Sequence, residues 1–196
     1  MNGHPEIKMR IIKLALEKKG IVDESNLLNL SKGTDELAAR ALILNNNFTL
    51  KRLSNHLHNN LQNNNAHIKA ASAVCLLQID KNNKKAKIIL EDFLDIKDEK
   101  TTALALEYLQ ISSELLPKNT LIALLSHHSI EISLSALNIA GIRLDNDYLP
   151  AIISNLSNRK LAINARETLL LYDDDKVLNA IKNELNKKEL NKDLIF

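Results

Sequence analysis

The sequence has few of the residues that form tight turns, disulfides or aromatic binding surfaces. Its 196 residues include 4 Gly, 3 Pro, 3 Phe, 3 Tyr and no Trp. So few breakers argue against a fold built from sharp hairpins, and no alternating β-branched run is bounded by a turn dipeptide. The single cysteine, Cys75, lies in an apolar run, which predicts a buried small hydrophobe rather than a disulfide partner or an activated thiol.

Long apolar runs and a large net charge are also missing. No window approaches the roughly 18 apolar residues of a membrane-spanning helix, and the charged N-terminal segment is unlike a signal peptide. The formal net charge is only +2, whereas nucleic-acid-binding domains are usually strongly basic. With the lone cysteine, these features predict a cytoplasmic protein without membrane insertion, and the bias toward Lys, Asn and Ile is typical of bacterial proteins.

An internal repeat organises what is present. A pair made of a small residue and the bulky aliphatic residue that follows it recurs along the chain at spacings of 32, 32, 31 and 32 residues. The pairs are Ala41-Leu42, Ala73-Val74, Ala105-Leu106, Ala136-Leu137 and Thr168-Leu169. Another small residue stands three positions before each pair, which lets two helix backbones approach closely. We expect these residues to be buried together with Ala103, and they are Ala38, Ala70, Thr102, Ser133 and Ala165.

A second stripe follows one helix later in each repeat. It consists of apolar residues four positions apart, namely Leu57/Leu61, Ile89/Phe93, Leu121/Leu125, Ile152/Leu156 and Ile181/Leu185. Each unit therefore pairs a small-residue helix with an aliphatic helix, and neighbouring units must stack to bury both stripes. The predicted helices span 5–19, 24–31, 35–45, 49–62, 66–79, 84–95, 99–114, 119–127, 130–143, 148–156, 160–172 and 175–188.

Two stretches in the last third of the chain resemble the HEAT repeat pattern of a helix end, a short Asp-bearing turn and an amphipathic helix. The first, IAGIRLDNDYLPAIISNL at 139–156, has Asp145 and Pro150 at the matching places. The second, TLLLYDDDKVLNAIKNEL at 168–185, carries Asn179 where the proline would stand. The bilin-lyase type of HEAT-like repeat is closest in length. The tetratricopeptide pattern, by contrast, uses a Trp that this chain lacks.

The resemblance implies an all-α fold, a right-handed α-solenoid of stacked antiparallel helix pairs forming a single domain over residues 1–196. Residues 1–33 would then be a degenerate N-terminal cap repeat, about five repeat units would fill residues 34–188, and 189–196 would be a C-terminal tail. Another kind of helical repeat and a compact non-repeat bundle remain alternatives.

In HEAT-like arrays the small-residue helices line the concave side, and the aliphatic helices line the convex side. The positions just outside the core stripe of the concave helices then form a row of mixed charge and short polar groups, which suits a protein-binding surface. The row predicted to contact a partner consists of Arg40, Lys69, Ser72, Glu107, Tyr108, Asn138 and Glu167.

Motifs that carry catalytic or cofactor chemistry are missing, so the sequence predicts no enzyme, no cofactor and no metal site. The histidines at 127–128, and those at 56 and 58, lack the i,i+4 spacing of paired helical ligands. The acidic run at 173–175 lacks the alternating acids and central Gly of a calcium loop. The four glycines are too scattered to cradle a phosphate.

Three functions stay open at this point. The first is a non-enzymatic scaffold that binds a protein partner of unknown identity on its concave surface. The second is a duplex nucleic-acid binder that uses the lysine clusters at 81–87 and 182–192, although aromatic platforms and arginines are scarce there. The third is an accessory or regulatory subunit of an enzyme or transporter system, which only fold analogy suggests.

Overall fold

The computed structural model describes residues 24–45, 47–95 and 98–193 of the chain. Every regular element in these ranges is helical, which confirms the all-α prediction. No helix among the described residues is both long and apolar enough to cross a membrane. The predicted helix at 5–19, which forms much of the proposed cap repeat, lies outside the described residues, and so do residues 194–196 of the predicted tail at 189–196.

The chain divides into two compact units, residues 1–115 (unit 1) and residues 116–196 (unit 2), so its organisation as one continuous solenoid stays a prediction. The described α-helices of unit 1 are α1 (Glu24–Leu30), α2 (Glu36–Ile43), α3 (Asn47–Arg52), α4 (Ser54–Asn60), α5 (Ala66–Ile79), α6 (Lys84–Phe93) and α7 (Glu99–Leu109). Those of unit 2 are α8 (Lys118–Leu125), α9 (Ile130–Arg143), α10 (Leu149–Ser154), α11 (Ala162–Leu169) and α12 (Asp174–Asp193).

Short Asp and Asn side chains begin several of these helices. Asp35 accepts a hydrogen bond from the Ala38 N–H at 2.9 Å, and Asn83 accepts one from the Ala86 N–H at 3.1 Å. Such caps satisfy backbone donors that have no partner within the helix. Asp35 and Asn83 therefore set where the helices that follow them begin.

The periodic small residues and their bulky neighbours are buried, as the repeat predicts. None of the fifteen positions is more than 7% exposed, from Ala38 in α2 to Leu169 in α11. Ala103 is the exception to the expectation, because it is half-buried while Thr102 beside it is fully buried. The small-residue stripe of α7 runs through Thr102, and the expectation for Ala103 is wrong by one helix position.

Helix α5 is the centre of unit 1. It packs against α2, α3, α4, α6 and α7, and residues all round its circumference are buried. A helix that is apolar on every side is stable only when other helices surround it. In unit 2, α9 packs against α8 and α11, and α10 packs against α8, α11 and α12.

The aliphatic stripe follows its predicted register only in part. Leu57, Leu61, Leu121 and Leu125 are buried, but the stripe of α6 runs through Leu90 rather than the half-buried Ile89. Leu156 is exposed because α10 ends at Ser154. The adjacent Asn155 turns inward instead, and its amide donates to the Leu125 carbonyl at 2.8 Å.

The predicted helix at 49–62 is interrupted. Leu53 separates α3 from α4, and its N–H donates to the carbonyls of both Leu50 and Thr49 at 3.0 and 3.1 Å. Such a shared bond is the mark of a tightened, 3₁₀-like turn. The interruption is therefore local. It divides the predicted helix into α3 and α4, and Leu53 between them stays buried in the core.

Candidate functional site

Two unit 1 members of the predicted row, Arg40 and Glu107, contact each other. Arg40 of α2 is largely buried and donates to Glu36 at 2.8 Å, and it also forms an ion pair with Glu107 of α7. Burial alone would lower the pKa of Arg40, but the hydrogen bonds to Glu107 and Glu36 raise it above its ordinary value. The ion pair links the two helices that pack on α5, so it stabilises the unit and leaves Arg40 little freedom to bind a partner.

Ser72 and Tyr108, two further members of the predicted row, have no exposed surface. The Tyr108 hydroxyl lies 2.8 Å from Nδ1 of His67, and burial raises the pKa of Tyr108. Ser72 lies on α5, which is surrounded by other helices, so a position just outside the predicted core stripe is covered there as well. Lys69, on the same helix, is half-buried and keeps part of its side chain at the surface.

Replacing Ser72 by alanine is expected to raise the free energy of unfolding by about 1 kcal/mol, because a buried hydroxyl without a hydrogen bond is costly. The Ser72 hydroxyl has no hydrogen-bond partner among the described residues. Chemical denaturation of the purified variant measures the change.

The matched control is Ser133→Ala, at an equally buried serine of α9. The Ser133 hydroxyl donates to the His127 carbonyl at 2.8 Å, so its loss should lower the free energy of unfolding by about 1 kcal/mol. If both substitutions change the free energy of unfolding in the same direction, the Ser72 hydroxyl is not the unsatisfied group that we infer.

The unit 2 members of the row lie at the surface. Asn138 of α9 and Glu167 of α11 are both exposed, and these two helices pack side by side. Three large exposed apolar side chains lie about one helical turn from these polar residues, because Ile142 follows Asn138 by four positions, and Ile163 and Leu170 stand four before and three after Glu167. We call the set the α9–α11 face; it consists of Asn138, Ile142, Ile163, Glu167 and Leu170, and its apolar members are 54%, 71% and 70% exposed in that order.

The charged residues around the Asp145 turn are engaged in structure. Lys118 Nζ lies 2.6 Å from a carboxylate oxygen of Asp145 and 2.6 Å from one of Asp147, and its hydrogen bond to Asp145 holds the pKa of that carboxyl below its usual range. The Arg143 guanidinium donates to the Leu116 carbonyl at 2.6 Å and lies 5.4 Å from the centre of the Tyr148 ring. The turn at Asp145 and Asp147 is therefore held by ion pairs with Lys118 of α8.

Two open grooves run along α12. One, of about 550 Å³, lies against α10 and has both apolar and polar lining residues, namely Leu149, Pro150, Ala180, Asn146, Asn179, Asn183, Asn186, Lys176 and Glu184. The other, of about 380 Å³, lies against α11 and is mainly apolar, with Arg166, Asp174 and Asp175 at its edge. Neither groove contains a Ser, Cys, His or Tyr that could act as a nucleophile or a general base.

Comparison with protein-family models, curated proteins and solved structures finds no match for this chain. Cys75 adds no reactive thiol, because it is fully buried and burial raises the pKa of its thiol.

Sequence reasoning missed the partners of Arg40 and the apolar half of the α9–α11 face. The Glu36–Arg40 pair could have been found from its i,i+4 spacing. The Arg40–Glu107 pair joins residues 67 positions apart and has no local signal. Ile142, Ile163 and Leu170 were passed over because isolated apolar residues in an amphipathic pattern are ordinarily assigned to the core.

Proposed function

We propose that this chain is a non-enzymatic, HEAT-like scaffold that binds a protein partner on the α9–α11 face. The observation that carries the proposal is the composition of that face. Ile142, Ile163 and Leu170 are more than half exposed and lie among the polar groups of Asn138 and Glu167. Apolar anchors beside uncharged or singly charged groups are typical of protein–protein interfaces.

The same composition argues against nucleic acid as the ligand of this face. Glu167 is an acid, and the exposed Arg166 beside it only balances that charge, so the face offers no net positive charge to phosphate groups. The exposed lysines at 81, 84, 85 and 87 are the strongest basic cluster in the described residues, but they surround the start of α6 in unit 1. Lysines without aromatic neighbours support weak, salt-sensitive and sequence-independent binding to DNA.

Capture from a lysate of the source cells tests the proposed function. The wild-type chain is expected to retain a protein that mass spectrometry can identify. The double variant Ile142→Ser/Ile163→Ser should lose it, because the two exposed anchors supply most of the apolar contact area. Both side chains lie largely in solvent, so the melting temperature should stay nearly unchanged.

The control is Ile88→Ser, which removes an equally exposed isoleucine from α6 of unit 1 and should leave capture intact. A partner that survives the double variant, or that Ile88→Ser also removes, would contradict the assignment of the α9–α11 face. Fluorescence anisotropy with duplex DNA tests the second hypothesis. A dissociation constant below about 1 µM for duplex DNA at physiological salt would favour the nucleic-acid-binding hypothesis over the protein-binding hypothesis.

A further inference from the structure

Helix α6 of unit 1 carries its charges in the order that its own dipole disfavours. The first five residues, 84–88, hold three Lys and no acid, and the last five, 89–93, hold two acids and no Lys. The start of a helix stabilises anions and its end stabilises cations, so both ends of α6 are less stable than they would be with the charges exchanged. All five charged side chains are exposed.

The ion pair within α6 offsets little of this cost. Nζ of Lys87 lies 3.9 Å from a carboxylate oxygen of Glu91, and both side chains lie mostly in solvent, where such pairs are weak. A Lys four positions before a Glu is also the less favourable orientation on a helix. Natural proteins break local rules of this kind mainly at functional surfaces.

An exposed isoleucine lies midway between the two groups of charges. Ile88 is 64% exposed, whereas Ala86, Leu90 and Phe93 are buried where α6 packs against α5 and α7. The outward side of α6 is therefore basic at its start, apolar at its middle and acidic at its end. We call this set the α6 face; it consists of Lys84, Lys85, Ile88, Glu91 and Asp92.

The α6 face has a twofold pattern about Ile88. From the helical rise and turn, Lys84 and Asp92 lie about 6 Å before and after Ile88 along the axis, and about 40° to either side of it around the axis. Lys85 and Glu91 lie about 4.5 Å before and after Ile88, and about 60° to either side. Each lysine thus has an acid at the position that a twofold axis through Ile88 would exchange with its own.

We propose that the α6 face binds the α6 face of a second copy of this chain, with the two helices antiparallel about a twofold axis at Ile88. Lys84 then lies opposite Asp92 of the partner subunit, and Lys85 lies opposite Glu91 of the partner subunit. Both pairs occur twice, so four ion pairs surround one contact between the two copies of Ile88. The contact is isologous and closes on itself.

The dimer neutralises the charges that the isolated helix holds unfavourably. Two carboxylates of the partner lie beside the start of each helix, and two of its lysines lie beside the end. A parallel pair would instead place lysines beside lysines and acids beside acids. Nucleic acid and anionic membranes fit less well, because Glu91 and Asp92 would repel their phosphate groups. A helix of another protein with the opposite order of charges would leave the purified chain monomeric.

Sedimentation equilibrium of the intact 196-residue chain tests the dimer. A single helix pair buries less than the roughly 1,600 Å² of a standard interface, so we expect a dissociation constant of about 100 µM at about 20 mM salt. The average mass should rise from 22.0 kDa toward twice that value between about 10 µM and about 1 mM protein. Salt at about 1 M should weaken association at least about tenfold, because it screens the ion pairs. A wild-type chain that stays at 22.0 kDa at low salt overturns the proposal.

Two charge-reversed variants test which residues meet. Neither Lys84→Glu/Lys85→Glu nor Glu91→Lys/Asp92→Lys should self-associate, since each places like charges opposite one another. An equimolar mixture should associate at least as tightly as the wild type, because all four pairs are complementary again. Both variants carry charges in the order that the helix dipole favours, so neither melting temperature should fall.

The matched control is Lys176→Glu/Lys182→Glu, two exposed lysines outside unit 1, which should dimerise like the wild type. A mixture of the two charge-reversed variants that stays monomeric overturns the proposed register, and so does a dimer that survives in either variant alone.

The dimer and the proposed function can fail separately, because they use different surfaces. Ile88→Ser should weaken association at least about tenfold and leave capture on the α9–α11 face intact. The double variant Ile142→Ser/Ile163→Ser should lose capture and keep the dimer. Association unchanged by Ile88→Ser would overturn the placement of the twofold axis.

Cross-linking tests the orientation of the pair. Single cysteines replace Ile88 or Lys84, each in a Cys75→Ala background. In the antiparallel dimer the two copies of residue 88 face each other across helix axes about 8–10 Å apart, within the reach of a disulfide. The two copies of residue 84 lie about 12 Å apart along the axis. Mild oxidation should therefore cross-link Ile88→Cys and not Lys84→Cys. Equal cross-linking at both positions would show a parallel pair and overturn the antiparallel arrangement.

Discussion

Replacing Leu106 by alanine is expected to lower the free energy of unfolding by about 2–5 kcal/mol, because it removes buried apolar contacts and leaves a cavity. Leu106 lies in α7, is fully buried, and is the bulky member of the third repeat pair. If the 31–32-residue period marks the core, this position belongs to the core for the same reason as Leu42 and Leu137. Chemical denaturation followed by circular dichroism measures the loss.

Leu104→Ala supplies the matched control. It makes the same truncation two residues away in the same helix, but Leu104 is only half-buried and lies outside the repeat pair. The expected loss is below about 1.5 kcal/mol, because less apolar surface is removed from a closed environment. Equal losses at 104 and 106 would show that the repeat register does not predict the core of unit 1.

Replacing Ala136 by leucine is expected to lower the free energy of unfolding by about 1–3 kcal/mol through overpacking. Ala136 is fully buried in α9, which packs against both α8 and α11. The same helix approaches α11 at Gly141, where an added Cβ would lie 3.6 Å from Thr168 of α11 and 3.0 Å from Leu171 just after that helix. Three extra carbons have no space here unless the helices move apart. Thermal melting together with chemical denaturation measures the effect.

Ala123→Leu makes the same enlargement at an exposed position of α8 in the same unit. A surface substitution of this kind changes the free energy of unfolding by no more than about 0.5 kcal/mol. An Ala136→Leu variant as stable as Ala123→Leu would mean that the small-residue stripe is not a site of close helix packing in unit 2.

The helices and their buried stripes were predictable because both follow from spacing along the chain. A small residue every 31–32 positions, with a bulky one four residues later, is buried wherever helices stack in register. The prediction of buried residues is wrong where a helix ends earlier than expected. Leu156 follows the end of α10, and at that point the chain no longer turns by 100° per residue, so the i,i+4 rule stops applying to it.

The candidate site was less predictable, because exposure depends on neighbours that the local pattern does not contain. Lys69 and Ser72 share helix α5, yet one reaches the surface and the other is fully buried. Arg40 was expected to contact a partner, but it forms an ion pair with Glu107, which lies on a helix two repeats further along the chain. Only Asn138 and Glu167 lie exposed as their positions in the repeat suggested.

The sequence by itself determined that this protein is helical and where its buried stripes run, because both depend on propensity and period, which are local properties. Tertiary structure alone decided which residues outside those stripes remain in contact with water. It paired Arg40 with Glu107, covered Tyr108, and left Leu178 and Leu185 of α12 exposed. The physical reason is that a side chain's exposure is set by which helices pack around it, and those contacts join residues far apart in the chain.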